Sequence, residues 1–395
     1  MSRTIAVGLD IGTWETKVVV CEHGRDSNRK DVYRIIGTGK AETRGMRHGY
    51  VAHAEEVVKT IEMAVHAAEK SCGVPIKRVF LSVGGIGLGS AVSTGSSVIS
   101  RADSEITMLD IDKAMEASQS TLPESATINR KIIHTIPLSY KIDSKPAYGN
   151  PIGMKGMKLE VKTLFITCLD HHLNDLIEVI EEAGLEVIDV TPSPFASAHV
   201  MLTKAQRIAG CVLANIGAET VSIAVYENNT PYSLEVFPIG SNDITNDIAL
   251  GLRIPLEEAE QVKLGTVVGG NYSKKKLDDI VGARLSDIFE LIESHLKKIG
   301  KSGLLPAGII LIGGGAHFNS IDEFARNYLR LPAKIASIPI QPNTKLEIKD
   351  SSWAVAYGLC IYGFSAGADG AVHARGGSLS SKFKKFISWF KQFLP

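Results

Sequence analysis

One pattern constrains the fold of this chain more than any other: a buried strand that ends in a glycine turn and doubles back, written twice. Ala6-Val-Gly-Leu-Asp10-Ile-Gly12-Thr13 is followed by Thr16-Lys17-Val-Val-Val20. Cys211-Val-Leu-Ala-Asn215-Ile-Gly217-Ala218-Glu219-Thr220 is followed by Val221-Ser-Ile-Ala-Val225. Short β-branched runs broken by glycine read as strands, and the tight spacing closes each pair into a β-hairpin. Two copies predict two related halves of one architecture. A third strand, Gly308-Ile-Ile-Leu-Ile312, runs into Gly313, Gly314 and Gly315 and leads to Ile321–Leu329, whose apolar positions have helical spacing.

At 395 residues the chain exceeds what one core absorbs, so several domains are expected. Its 43 basic residues balance 43 acidic ones, so no global field favours nucleic acid as a partner. Cys21, Cys72, Cys168, Cys211 and Cys360 are scattered with no CxxC pair, which points to a reducing cytosol without disulfides or a zinc site. The start, Met1-Ser2-Arg3, enters an apolar strand directly, so no leader is expected. No run approaches the ~18–20 apolar residues of a membrane span, so any membrane role falls to a surface anchor.

Between the two hairpins, residues 54–71 read as an amphipathic helix and 79–83 as a strand. Gly84-Gly85-Ile86-Gly87-Leu88-Gly89 imitates a dinucleotide fingerprint, but Ser90 stands where the third glycine belongs, and no GxxxxGK[ST] loop occurs. The run reads instead as a junction into a small inserted α+β module over 84–162, after which Thr163–Cys168 is expected to resume the parent fold. Gly367–Ser378 is too poor in large apolar residues to fold and reads as a linker.

A strand ending in Asp-x-Gly-Thr suits a nucleotide triphosphate. Glycine lets backbone N–H groups approach phosphate oxygens, threonine adds a hydroxyl, Lys17 a point charge, and Asp10 a ligand for Mg²⁺, through water. The last sixteen residues carry a separate signal. At 100° per residue Phe383, Phe386, Ile387, Trp389, Phe390, Phe393 and Leu394 share about 160° of arc, with Lys384, Lys385 and Lys391 opposite. An aromatic face backed by lysines, with no acidic residue, is the pattern of a helix lying in an anionic membrane surface.

The set of two hairpins and a Gly-rich turn resembles the actin, Hsp70 and sugar-kinase superfamily, and within it the FtsA family of actin-like bacterial cell-division proteins. The resemblance spans the whole chain. Its most specific segments are Ile136–Tyr140 through Asn150–Gly153 to Phe165–Cys168, Pro238–Gly240, Asp243–Ala249, Glu257–Lys263 and the tail. It implies an actin-like α/β fold of two halves around a nucleotide cleft. Subdomain 1A would comprise 1–83, 163–195 and 341–366, with the inserted 1C at 84–162. Subdomain 2A would comprise 196–240 and 304–340, and 2B 241–303. A linker at 367–379 would precede a membrane helix at 380–395.

The resemblance assigns the first phosphate turn to Gly12, Thr13 and Lys17, and the second to Asn215, Gly217, Ala218, Glu219 and Thr220. Glu260 and Lys263 would flank the adenosine of ATP, with Gly313, Gly314 and Gly315 on its other side. It further implies polymerisation at the cytoplasmic face of the membrane at the division site. The expected partners are anionic lipids, the C-terminal tail of the ring protein FtsZ, later division proteins and further copies of the chain. Arg284 would serve the FtsZ peptide. Asn215 stands where the family usually has aspartate, forgoing about 4 kcal/mol of gross Coulomb energy near Mg²⁺ at an effective dielectric near 20. No counterpart of actin's water-positioning glutamine stands in Pro192–Phe195, so ATP binding with at most slow turnover is expected. A pilus-assembly actin homologue and a small-molecule kinase are the alternatives, and neither explains the tail.

Overall fold

The computed structural model of the protein describes residues 4–25, 31–266, 272–318, 320–339 and 348–368. The hairpin signal is realised in two sheets of the same topology. In the first, Thr4–Ile11, Glu15–Arg25 and Asp31–Glu42 form an antiparallel meander, and Arg78–Val83 and Glu186–Pro192 add in parallel beyond Thr4–Ile11. In the second, Cys211–Ile216, Val221–Glu227 and Thr230–Phe237 form the meander, and Ile309–Ile312 and Ala333–Ile335 add in parallel. The register repeats as well: Asp10 faces Lys17 across the first hairpin as Asn215 faces Ser222 across the second.

Parallel neighbours need crossovers, and helices supply them. Ala54–Cys72 buries Val57, Ile61, Ala64, Val65 and Ala68 against the first sheet. It stops at Gly73, whose left-handed backbone (φ 71°) turns its N–H onto Glu69 O at 2.7 Å. Ile321–Leu329 makes the crossover between the two parallel strands of the second sheet.

The halves share a core. Alternate residues of Cys211–Ile216 face opposite ways: Cys211 and Leu213 join the core of the first half, Val212, Ala214 and Ile216 that of the second. With both faces buried the strand reads as a continuous apolar run, not an alternation. Two helices fill the space between the sheets. Ala354–Ala368 lies on the first sheet, and Ser193–Met201 connects it to the second. Their approach is backbone to backbone: a Cβ on Gly358 would lie 1.8 Å from Ala196 O, and one on Gly8 2.1 Å from Ala356 O.

The inserted module is a four-stranded antiparallel sheet ordered Leu88–Val98, Lys158–Leu169, Arg130–Ile142, Lys145–Ala147, with helix Met108–Ser120 packed against it. Ile106, Ile111, Ala114, Met115, Leu159 and Val161 form its own small core. The run Thr163–Cys168, expected to resume the parent fold, belongs to this sheet. It is buried because Lys158–Leu169 is a central strand, paired on both edges. The last described helix also runs to Ala368, two residues into the expected linker. The rest of the linker and the amphipathic helix at 380–395, with every residue assigned to the membrane, lie outside the described residues. No helix among the described residues is long and apolar enough to cross a membrane.

Gly358→Ala tests the shared core. The added methyl has no room beside Ala196, so a loss of about 1–3 kcal/mol is expected, read as a lower melting temperature by scanning fluorimetry. An unchanged melting temperature would show that the two helices separate freely.

Candidate functional site

The two hairpin turns and the Gly313–Gly315 run line one cleft of about 1210 Å³ between the halves. Each turn closes the same way. Gly12 N–H donates to Glu15 O at 3.2 Å and Gly217 N–H to Thr220 O at 2.9 Å. A Cβ on either glycine would sit 2.9 Å from that same carbonyl oxygen, so the turn itself requires glycine. The closure leaves the next donors uncommitted: among the described residues no backbone carbonyl accepts from the N–H of Thr13, Trp14, Ala218 or Glu219. Successive free N–H groups in a turn form a nest for an anion.

The charged chemistry sits in the first half. Asp10 accepts a hydrogen bond from Ser82 Oγ at 2.7 Å. Burial pushes its carboxyl above the ordinary carboxylate range, partly opposed by Ser82 and by the positive charge of Lys17. Lys17 is itself buried, paired with Glu15 at 2.9 Å and 5.9 Å from the centre of the Trp353 ring. Glu15 also holds Lys40 at 2.8 Å. Burial drives the Glu15 carboxyl up, but hydrogen bonds from Lys40 and Lys17 outweigh it and leave it below its usual value.

The corresponding places in the second half are neutral. Asn215 stands for Asp10 and Ser222 for Lys17, and Ile312 occupies the parallel-strand position next to Asn215. Gly313 (φ 91°) lies under Asn215, and a Cβ there would be 2.3 Å from Asn215 Oδ1. Its N–H donates to Ser351 Oγ at 3.2 Å. Gly315 is closed by Ile216, whereas Gly314 has nothing within 4 Å of where its side chain would begin, leaving open space at the cleft wall.

Glu260 and Lys263 also line the cleft, one turn apart and joined at 2.5 Å. Thr245 Oγ1 donates to Glu260 Oε2 at 2.6 Å, and Lys263 Nζ donates to Thr245 Oγ1 at 2.8 Å. The Lys263 side chain is only 6% exposed, so this pair is part of the wall and not a solvated helix face. Helix Ser241–Leu252 docks its first turn onto the second hairpin, with Ser241 N–H on Gly217 O at 2.9 Å and Asn242 N–H on Ala218 O at 2.8 Å.

One residue predicted for the cleft sends its side chain elsewhere. The Glu219 carboxylate turns toward the first half, where Oε2 accepts from the His48 N–H at 2.5 Å, and it lines a smaller adjoining cavity. Arg284, on Lys274–Lys298, is held by Asp247 through two hydrogen bonds of 2.7 and 3.1 Å, with Asp287 at 3.3 Å. Sequence reasoning passed over Ser82, Glu15, Thr245 and Ser241. Only Glu15 carried a signal, since it and Lys17 sit two apart on one strand face.

The sequence model described as cell division protein FtsA matches residues 212–358, and that of the SHS2 domain inserted in FtsA matches 88–167. The cell division protein FtsA of Borreliella burgdorferi is 31% identical, covering 92% of this chain and 91% of its own length. That of Bacillus subtilis is 31% identical over 91% and 83%. The chain belongs to the FtsA family of cell division proteins. The FtsA protein of Pseudomonas aeruginosa, 28% identical, covers 96% of the chain. Among solved structures, the PilM–PilN type IV pilus biogenesis complex matches with a TM-score of 0.66 at 17% identity, covering 92% of this chain and 99% of that one. MreB5 of Spiroplasma citri bound to ADP matches at 0.50 and 14%, covering 91% and 95%. These likenesses establish an actin-like fold, here with the inserted domain of FtsA, and the 88–167 match falls on the sheet that starts at Leu88.

The raised carboxyl of Asp10 sets the sign of a pH effect. A folded-state pKa above the unfolded one makes the ionised form costly, and the contribution is lost as pH rises through the folded value. Asp10→Asn keeps an acceptor for Ser82 without the charge. It is expected to melt higher than the wild type at pH 7, the gap narrowing as pH falls toward the usual carboxylate range. Equal melting temperatures at pH 7 would refute the burial of an ionised carboxylate.

Proposed function

We propose that this FtsA-family protein binds ATP with Mg²⁺ in the cleft, polymerises on the cytoplasmic face of the membrane, and tethers FtsZ filaments there. The observation that carries the reading is the pair of turns whose N–H donors beyond the closing glycine are uncommitted, beside the half-buried Asp10. Phosphates fit the uncommitted donors of Thr13 and Trp14 on one turn and of Ala218 and Glu219 on the other. Adenosine fits between the Glu260–Lys263 pair and Gly313–Gly315, where Gly314 leaves the space a Cβ would fill. Bound Mg²⁺ supplies charge neutralisation of the phosphates, with Asp10 positioned to hold one of its waters. Asn215 and Ser222 bring no second charge to the site, so turnover is slow or absent.

The tail at 380–395 is the proposed tether. One short amphipathic helix binds a bilayer marginally and reversibly, but many helices on one filament make each further insertion effectively intramolecular. ATP, by holding the halves together, favours the polymerising shape. Later division proteins are recruited through the inserted module. Liposome co-sedimentation with ATP·Mg²⁺ tests this: the full chain should pellet with anionic vesicles, and a chain ending at residue 379 should stay in the supernatant. Equal pelleting of both would sink the tether.

We assign the FtsZ tail to the surface around Arg284. Its bidentate pair with Asp247 fixes the guanidinium, so an acidic peptide must share it. Arg284→Gln should weaken binding of an FtsZ tail peptide roughly five- to tenfold, the loss of ~1 kcal/mol or more typical of a contributing contact. Asp247→Asn should strengthen it. Fluorescence anisotropy at two salt concentrations reads both, and no change in either variant would remove Arg284 from the peptide site.

A further inference from the structure

His48 sits at a crossing of three parts of the molecule. It belongs to the small hairpin Met46–Arg47 with Tyr50–Val51, in the first half. Its N–H donates to Glu219 Oε2 at 2.5 Å, and its ring Nδ1 lies 3.2 Å from Glu219 O, so two bonds tie it to the second cleft turn. Its own carbonyl accepts from the Ile86 N–H at 3.3 Å, in the Gly84–Gly87 loop from which the inserted sheet departs. One residue thus spans the second turn of the cleft and the root of the inserted module.

The joint has no slack. His48 is held in the left-handed region (φ 48°), uncommon for a residue with a side chain, and Gly49 (φ 87°) and Gly85 (φ 78°) are left-handed beside it. A Cβ on Gly49 would lie 2.4 Å from Gly85 Cα, and one on Gly85 2.7 Å from His48 O. Backbones in such contact move together or not at all. Beyond the loop, Leu88 N–H donates to Gly85 O at 3.1 Å and Leu169 N–H to Gly87 O at 3.0 Å, so the first and last strands of the inserted sheet both hang from it. The module has a second hold: Ser90 Oγ donates to Leu234 O of the second half at 2.6 Å. It therefore straddles both halves, and closure of the cleft must change its pose relative to at least one of them.

We propose that Glu219, His48 and Ile86 form a mechanical relay that reports occupancy of the second cleft turn to the inserted module. The proposal rests on the nucleotide reading of the cleft. A polyphosphate seated on the Ala218 and Glu219 N–H groups displaces the turn that carries both of His48's partners. That displacement reaches the Gly84–Gly87 loop through the His48 carbonyl. The surface the module offers to other proteins thereby depends on the ligand in a cleft that Gly84 and Gly85 at its root line but to which its sheet contributes no residue.

Hydrogen–deuterium exchange of the full chain, with and without saturating ATP·Mg²⁺, tests the relay. Occupancy in each arm is measured by fluorescence of a labelled ATP analogue. In the wild type, nucleotide should change exchange of the 84–91 and 166–170 amides about tenfold, the scale of one hydrogen bond to a charged group. His48→Gly keeps the left-handed backbone but loses the ring bond, and Glu219→Ala removes the carboxylate. Both should cut the nucleotide-dependent change to threefold or less, while amides of Ala54–Cys72 respond as in the wild type. Nucleotide bound with unchanged exchange at 84–91 in the wild type overturns the relay alone, as does the full change persisting in both variants. A wild type that takes no nucleotide overturns the relay together with the nucleotide reading.

Discussion

Everything at the cleft depends on how a glycine turn closes. In each hairpin the glycine N–H is spent backward, on Glu15 O or Thr220 O, to hold the chain reversal. The donors that follow then have no partner within the turn and face the space between the halves. A side chain on either glycine would collide with the carbonyl that closes the turn. The same constraint therefore makes the hairpin and makes the anion nest. A tight reversal at Gly12 and a row of free donors just beyond it are therefore one arrangement and not two.

The two halves share a topology but divide the chemistry. Across the first hairpin a half-buried carboxylate faces a buried ammonium, each steadied by further partners in Ser82 and Glu15. Across the second, an amide faces a hydroxyl beside an isoleucine. Neutral groups at both places leave no orphaned charge across the second hairpin. The second half also brings the Glu260–Lys263 pair, tied through Thr245, to the cleft wall.

Much was legible in the chain. The hairpins, the helix Ala54–Cys72 and the helix Ile321–Leu329 follow from local periodicity and glycine placement, and they fall where expected. The inserted module was legible as a change of character, but its far edge was not. Thr163–Cys168 reads like a parent strand because burial on both faces looks the same whichever sheet provides it. The side-chain partners of Glu219 and Arg284 were not legible for a related reason. Each finds its partner on a distant element, His48 in one case and Asp247 in the other, and nothing local marks such a meeting.

Local order in the chain sufficed for the inventory: two glycine-closed hairpins, a third glycine run, a mid-chain module and an aromatic, lysine-bearing tail. These features live within one turn of helix or one strand pair, where covalent neighbours set the geometry. Which donors meet which acceptors across the cleft was settled by packing. It brought Ser82 to Asp10, tied Glu260 to Lys263 through Thr245, and suspended the inserted sheet from His48. Such pairings join residues from 15 to 72 positions apart. They exist only once two sheets and the glycine-lined helices between them have closed around a common core.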